Sequence, residues 1–350
     1  MDLHAIIHSL SRLGSFMQQF EFPKENWEKS PLNKLFYMRF ESAISAANIH
    51  NGWFDESQVR KSIFTLSQWM KVEILTTWTS DSIKPDNPHK IALIMAGNIP
   101  LVGFHDFICC LVSGHSVLVK LSSNDKQLLP LISEILIHFD ASFQDKIEFT
   151  ELRMKNFDAV IATGSDNTAR YFDYYFGKYP NIIRKNRNSV AVLSSNETKK
   201  SLSLLAEDIF SYYGLGCRNV SKIYVPKDFN FDLLFEAFSP RKEVMINKKY
   251  ANNVEYYRAL FLMGGNKLLD NGFLLLREEV SLSSPISMLH YEFYESIEHV
   301  QENLDQFKSQ IQCIVSNLNI QGSLPFGKTQ TPFIDDYADG IDTLAFLRNL

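Results

Sequence analysis

The run from Ile91 to Val119, IALIMAGNIPLVGFHDFICCLVSGHSVLV, decides how this chain folds. It holds no Lys or Arg and a single carboxylate, Asp106. Its length alone would allow a membrane span, which takes about 20 apolar residues. The turn residues argue against one, because Asn98-Ile99-Pro100 and Ser113-Gly114-His115 cut the run into three short pieces. Those pieces predict a buried strand over 91–95, a helix over 101–112 and a second buried strand over 116–120. Leu101, Phe104, Ile108 and Leu111 share one face of that helix, and Pro100 is expected in its first turn, where a missing N–H costs little.

The same alternation continues outward. A helix is predicted over 127–139, with Leu128, Ile132, Ile135 and Phe139 aligned, then a strand over 158–162 and a helix over 166–176. Short, continuously apolar strands separated by helices indicate a parallel sheet buried on both faces. Ligands of such sheets bind beyond the carboxyl ends of the strands. The residues to interrogate are therefore Gly97-Asn98, Lys120 to Ser123, and Thr163-Gly164-Ser165. Upstream, residues 1–75 read as helices, and SDSIKPDNPH over 80–89 reads as a surface connection. Downstream, strands are predicted over 189–193, 222–225, 273–276 and 287–290, with a helix over 201–213. A domain boundary is expected in the polar stretch around Asn186-Arg187-Asn188.

Composition excludes several classes. With 350 residues, 45% hydrophobic and 21% charged, the chain is neither disordered nor a disulfide-stapled miniprotein, and it is long enough for about two domains. Thirty-five basic against forty acidic residues give a net charge of −5, so nucleic acid is not the expected partner. Cys109, Cys110, Cys217 and Cys313 form no CxxC pair, which offers neither a disulfide framework nor zinc-ligand spacing. The N-terminal MDLHAIIHSLSRLGSFMQQF has no basic start, apolar core or cleavage site of a signal peptide, and a cytoplasmic location is expected.

Few residues offer chemistry. Cys217 stands in Tyr213-Gly214-Leu215-Gly216-Cys217-Arg218-Asn219, where glycines let the backbone approach a ligand and Arg218 can favour a thiolate; the competing reading is a small buried residue. Cys109, Cys110 and Cys313 lie in apolar patterns and read as core. Gly164-Ser165 follows a strand and opens a helix, a place for a phosphate or simply an N-cap. Asn98 can donate to a developing oxyanion or merely form a turn. Lys120 can reach ligand oxygens or end its strand as a solvated charge. No GxGxxG fingerprint is present.

Taken in order, MAGNIP at 95–100, SGHSVLVKLSS at 113–123, IATGS at 161–165, YYGLGCRNVSKIYVP at 212–226, REE at 277–279 and LPFG at 324–327 resemble the aldehyde dehydrogenase superfamily, and within it the LuxC-type acyl-CoA reductases. The resemblance implies an aldehyde dehydrogenase-like α/β fold: two α/β domains with largely parallel sheets and a helical N-terminal segment. The expected division is 1–188 with the cofactor domain, 189–330 with the nucleophile, and a tail over 331–350. It implies that Cys217 takes the acyl group as a thioester and that Asn98, with the Cys217 N–H, steadies the oxyanion. Lys120 would contact the adenosine ribose, Gly164 and Ser165 the pyrophosphate, and Glu279 the nicotinamide ribose. No metal is implied.

Two departures from the superfamily pattern refine the expectation. Hydrolytic members use a glutamate to activate water; an ungapped alignment back from Cys217 puts Ile183 there, and no carboxylate occurs between Asp173 and Glu197. Reduction of an activated acyl group is then favoured over oxidation to an acid. The acidic residue that often binds the adenosine 2′-hydroxyl is Ser123 here, which points to NADPH, with NADH the alternative. The implied partners are acyl-CoA or another activated acyl donor and an acyl-activating protein; a homo-oligomer is left open. The alternatives are an acyl-phosphate reductase or aldehyde dehydrogenase on the same fold, and a non-catalytic scaffold.

Overall fold

Short, continuously apolar strands, and 3.6-residue periodicity in the helices between them, produce two α/β units. The computed structural model describes residues 2–21, 30–81, 85, 87–164 and 166–350. One unit is Met1–Lys185 with Phe333–Leu350, and the other is Asn186–Pro332. In the first, helices α1 (Leu3–Met17), α2 (Pro31–His50), α3 (Glu56–Trp69) and α4 (Val72–Trp78) precede β1 (Lys90–Ile94), α5 (Phe104–Val112), β2 (Ser116–Lys120), α6 (Leu128–Phe139), β3 (Ile147–Phe149), β4 (Ala159–Thr163), α7 (Asp166–Phe176) and β5 (Asn181–Arg184). Of the connection expected over 80–89, residues 82–84 and 86 lie outside the described residues.

The five strands pair in the order β3-β2-β1-β4-β5, all parallel. Strand order reverses between β1 and β4, which makes that crevice the binding position of an open parallel sheet. The two faces are covered differently. Ile91, Leu93, Val117, Val119 and Ile161 pack under the N-terminal helices, α5 and α6, together with Phe16, Phe20 and Phe40. Ala92, Leu118, Val160 and Ala162 face the other way, against Met154, Phe157, Phe172 and Phe176.

The helix expected from residue 101 begins instead at Phe104, and Pro100 lies in the turn before it rather than in its first turn. Leu101 adopts a left-handed backbone (φ 57°) with its side chain buried, and its N–H donates to Asp125 Oδ2 at 2.8 Å. A partner 24 residues downstream thus overrides the local helical pattern.

The second unit carries β6 (Asn188–Val192), α8 (Lys199–Phe210), β7 (Val220–Pro226), α9 (Phe231–Phe238), α10 (Lys248–Met263), β8 (Leu269–Asp270), β9 (Leu275–Glu278), β10 (Met288–Tyr294), α11 (Ile297–Gln306), β11 (Ile311–Ser316) and β12 (Ser323–Leu324). Its seven strands run β12-β11-β6-β7-β10-β9-β8, antiparallel only between β8 and β9. Helix α8 opens on a Thr198–Ser201 capping box and ends at Phe210, short of the Tyr213 expected from its pattern.

The chain closes with α12 (Thr343–Arg348), whose Leu344 and Leu347 enter the core of the first unit. Polar contacts fasten the same segment. His115 accepts the His89 N–H at Nδ1 (3.1 Å), which leaves Nε2–H to donate to Leu347 O at 3.0 Å. Burial lowers the His115 pKa, in keeping with a neutral ring. Arg184 donates to both Asp106 oxygens (2.6 and 3.2 Å), to Ala338 O (2.7 Å) and to Thr343 Oγ1 (2.9 Å). No described helix is long and apolar enough to cross a membrane.

Candidate active site

In the first unit, the loop that leaves β1 carries Asn98 and is held from several sides. Asn51 Nδ2 donates to Gly97 O (3.2 Å), Ser62 Oγ to Pro100 O (2.8 Å), and the Leu101 N–H to Asp125. Gly97 is required there, since a Cβ would overlap Ser122 Oγ. Asn98 itself is exposed on this pinned loop. Asn51, Ser62 and Asp125 come from three other segments, and only the Asn51-Gly52 turn signal marks any of them in the sequence.

Burial pushes the Asp125 carboxyl up to about 6, against the opposing effect of the Leu101 N–H. A carboxyl that binds its proton more tightly when folded stabilises the native state at low pH. That contribution fades as pH rises from about 4, the unfolded value, through about 6. Urea melts should therefore show stability falling across this window, and Asp125→Asn should flatten the slope; an unchanged slope would remove Asp125 from the account.

Lys120 ends β2 and lines a cleft of about 970 Å³ at the carboxyl ends of β1 and β2. Residues 153–157 and one side of α7 complete its wall, with Phe157, Phe172, Tyr175 and Phe176 among the lining rings. Gly164 ends the turn from β4 toward α7, and a Cβ there would meet Phe172 and Thr168 at 3.0 Å. Ser165 lies outside the described residues. Ser123 is exposed and is not among the residues lining the cleft.

In the second unit, Cys217 precedes β7 at the amino edge of the sheet, not at the carboxyl ends. It is half-buried, whereas Cys109, Cys110 and Cys313 are buried. Burial pushes the Cys109 and Cys110 thiols well above their usual range, as packing residues should show. The turn before Cys217 is unusual: Tyr212 (φ 51°), Tyr213 (φ 58°) and Gly214 (φ 81°) are all left-handed. Two bulky residues in that region store about 1–2 kcal/mol each.

Asn219 makes that turn possible. Its Nδ2 donates to Asp208 O (3.3 Å), Ile209 O (3.3 Å) and Ser211 O (2.7 Å), taking the terminal carbonyls of α8, and its Oδ1 accepts from the Gly216 N–H (2.9 Å). Ser189 Oγ donates to Cys217 O at 2.9 Å and accepts the Cys313 N–H at 3.1 Å, tying three strand starts together. Arg218 Nη1 donates to Cys313 Sγ (3.5 Å). Asn219→Ala should cost about 1–3 kcal/mol of stability, since it strands buried carbonyls and an N–H; a denaturant midpoint equal to wild type would show that water replaces the amide.

Asp208, fully buried on α8, accepts from the Gly327 N–H (2.6 Å), the Thr329 N–H (3.0 Å) and Thr329 Oγ1 (2.8 Å), which holds the end of the LPFG stretch against α8. Glu279 follows β9 and pairs with Arg277 at 3.1 Å. Burial draws its carboxyl upward, but the Val280 N–H and Arg277 outweigh this and hold it below its ordinary value. The loop after Glu279 is bound to β7, with Lys222 Nζ donating to Val280 O (2.6 Å) and Ser221 Oγ to Leu282 O (2.7 Å). Among the described residues, no group of His, Cys, Asp and Glu could hold a metal ion.

Solved structures share this fold. The aldehyde dehydrogenase 21 of Physcomitrella patens, in complex with the reaction product succinate, is 12% identical, with a TM-score of 0.68 over 100% of this chain and 84% of that one. An oxidoreductase from Marinobacter aquaeolei is 11% identical, with a TM-score of 0.66 over 92% and 74%. The indole-3-acetaldehyde dehydrogenase AldA of P. syringae, in complex with NAD+ and IAA, is 12% identical, with a TM-score of 0.62 over 94% and 75%. No curated protein matches the sequence. The family model of the acyl-CoA reductase LuxC matches residues 3–234, more than half of the chain. An aldehyde dehydrogenase-like fold and this match together mean that the chain belongs to the LuxC acyl-CoA reductase family, oxidoreductases acting on acyl and aldehyde groups.

Proposed function

We propose that this protein reduces an acyl-CoA, of the fatty acyl class the resemblance implies, to the aldehyde with NADPH, through a thioester on Cys217. The observation that carries the reading is the contrast among the cysteines: one half-buried cysteine on a pinned, strained turn, and three buried ones. A free thiol with a pKa of about 8.5 is only a few per cent thiolate at pH 7, so a nucleophile must be presented to its substrate rather than packed away.

The Cys217 thiolate attacks the acyl thioester carbonyl. The new S–C bond forms, the C–S bond to coenzyme A breaks, and the departing thiolate takes a proton from solvent. Asn98 donates its amide to the oxyanion of each tetrahedral species. A nicotinamide cofactor, when bound, would supply the hydride for the acyl-enzyme carbonyl carbon, so that the species held by Cys217 and Asn98 is a thiohemiacetal oxyanion. That species expels the Cys217 thiolate and releases the aldehyde.

The residues present suit a dinucleotide. Aromatic rings and Lys120 line the cleft, Gly164 lets Thr168 and Phe172 of α7 pack close to the turn after β4, and Glu279 is an ionised acceptor for ribose hydroxyls. Lys120 would hold the adenosine ribose, Gly164 and Ser165 the pyrophosphate, and Glu279 the nicotinamide ribose. NADH is the competing cofactor. Where hydrolytic relatives place their water-activating glutamate, this chain has Ile183 followed by Arg184, and Arg184 is committed to Asp106. Deacylation by hydride is thereby favoured over deacylation by water.

Intact-mass spectrometry after incubation with a series of acyl-CoAs, without cofactor, tests the reading. An acyl adduct should appear, map to Cys217, and disappear with aldehyde release when NADPH is added; no adduct with any donor would overturn it. Asn98→Ala should lower kcat by roughly a hundred- to a thousandfold, about 3–4 kcal/mol, while nucleotide affinity stays within experimental error. A kcat within twofold of wild type would move the oxyanion site elsewhere.

A further inference from the structure

The cleft of the first unit has a charge pattern that its composition does not foreshadow. The chain as a whole is acidic, yet Lys120, Arg153, Lys155 and Lys178 line this cleft and, among the described residues, no carboxylate does. Three of the acids nearby in sequence are engaged elsewhere: Glu148 with Lys90 (2.5 Å), Glu151 with Lys126 (2.7 Å), and Asp158 with the Lys90 N–H (2.7 Å). Arg153, Lys155 and Lys178 make no ion pair with any described residue. Cations grouped without counter-charge repel one another and are relieved by an anion.

The local backbone accounts for the arrangement. Met154 is buried in the core cluster with Val160 and Ala162, so its neighbours Arg153 and Lys155 are left at the mouth. Asn156 turns the chain in a left-handed conformation (φ 59°), a residue type suited to it, and Phe157 then packs with Phe176 and Tyr179. Flat rings therefore line the interior and cations the rim, over a volume that suits a nucleoside with phosphates. Ser123, expected from sequence to decide whether a ribose phosphate is accepted, is not part of the lining.

We infer that this cleft recognises a phosphate carried on the ribose of an adenosine, with Arg153 and Lys155 as the specificity-determining side chains. Planar, forked Arg153 suits a phosphate bidentately, and Lys155 adds a second charge. The inference rests on the reading that the protein uses NADPH and acyl-CoA, because both molecules carry such a group: a 2′-phosphate on the dinucleotide and a 3′-phosphate on coenzyme A.

Isothermal titration of the full chain with adenosine 2′,5′-bisphosphate, adenosine 3′,5′-bisphosphate and AMP tests it. At least one bisphosphate should bind about tenfold or more tightly than AMP, with an advantage that shrinks as salt is raised. A preference for the 2′ isomer assigns the site to the dinucleotide, and a preference for the 3′ isomer assigns it to coenzyme A. In Arg153→Gln/Lys155→Gln the advantage over AMP should fall to about threefold or less. Both side chains are exposed, and a thermal melt verifies that the variant is folded. Equal binding of all three ligands, or an advantage retained in the double variant, would overturn the inference. Cys217→Ala should bind the bisphosphates as wild type does, so failure of acyl transfer and failure of phosphate recognition are read separately.

Discussion

Cys217→Ala should abolish both the acyl adduct and the reductase activity while leaving the fold intact. The expected loss is at least about three orders of magnitude, because no other group takes over a missing nucleophile efficiently. Stability should change little. The side chain is half-exposed, and the turn is held through its backbone, by Ser189 on the Cys217 carbonyl and by Asn219 on Gly216. A surface-like change of this kind falls within about 0.5 kcal/mol. Cys313→Ala is the informative control, since its sulfur lies on the neighbouring strand start and accepts from Arg218. It should keep the adduct. An adduct of undiminished yield in Cys217→Ala, or its transfer to Cys313, would dismiss Cys217 as the acyl carrier.

Arg184→Leu should be the most destabilising substitution in the first unit. Burial opposes the Arg184 guanidinium, but Asp106 more than offsets this and raises its pKa. Removing it leaves the nearly buried Asp106 carboxylate with the long Thr343 Oγ1 contact (3.4 Å) in place of a guanidinium and strands Ala338 O. Breaking one side of a buried pair costs about 3–5 kcal/mol, a fall in Tm on the order of 10 °C for a chain of this size. Asp106→Leu/Arg184→Leu should lose less than the single variant, because no unpaired charge remains. Thermal melts of wild type, single and double variants decide the matter, and a double variant as unstable as Arg184→Leu would mean that packing, not charge, is at stake. Arg184 thus fastens the C-terminal segment to the first unit through Ala338 O and Thr343 Oγ1.

Much of the first unit was legible because buried parallel strands are short apolar runs with nothing else to be. The strand expected over 91–95 is found over Lys90–Ile94, and the one over 158–162 over Ala159–Thr163. Helix ends were less legible. Helix α5 starts late because Asp125 captures the Leu101 N–H, and α8 stops early because Asn219 takes its terminal carbonyls. Both decisions are made by side chains outside the helix concerned, beyond any window that reads periodicity.

Cys217, Asn98, Lys120 and Gly164 could be singled out from residue type and order, since each stands just before or after an apolar strand, whereas Glu279 was named only through the resemblance to the family. Asn51, Ser62 and Asp125, which fix the loop bearing Asn98, could not, for their roles are single hydrogen bonds to distant backbone atoms. That resemblance marked Glu279, but not Lys222 and Ser221, which tie down the loop that follows it.

Sequence by itself determined the alternation of buried strands and amphipathic helices, the family, and the one cysteine standing outside an apolar pattern, because hydrophobic periodicity and turn chemistry are local. Tertiary structure alone decided that Arg153 and Lys155, not Ser123, border the cleft with Lys120, that Arg184 is paired, and that two tyrosines before Cys217 are left-handed. Charge compensation and backbone strain depend on which distant groups arrive within a few ångströms, and no stretch of sequence read alone contains that information.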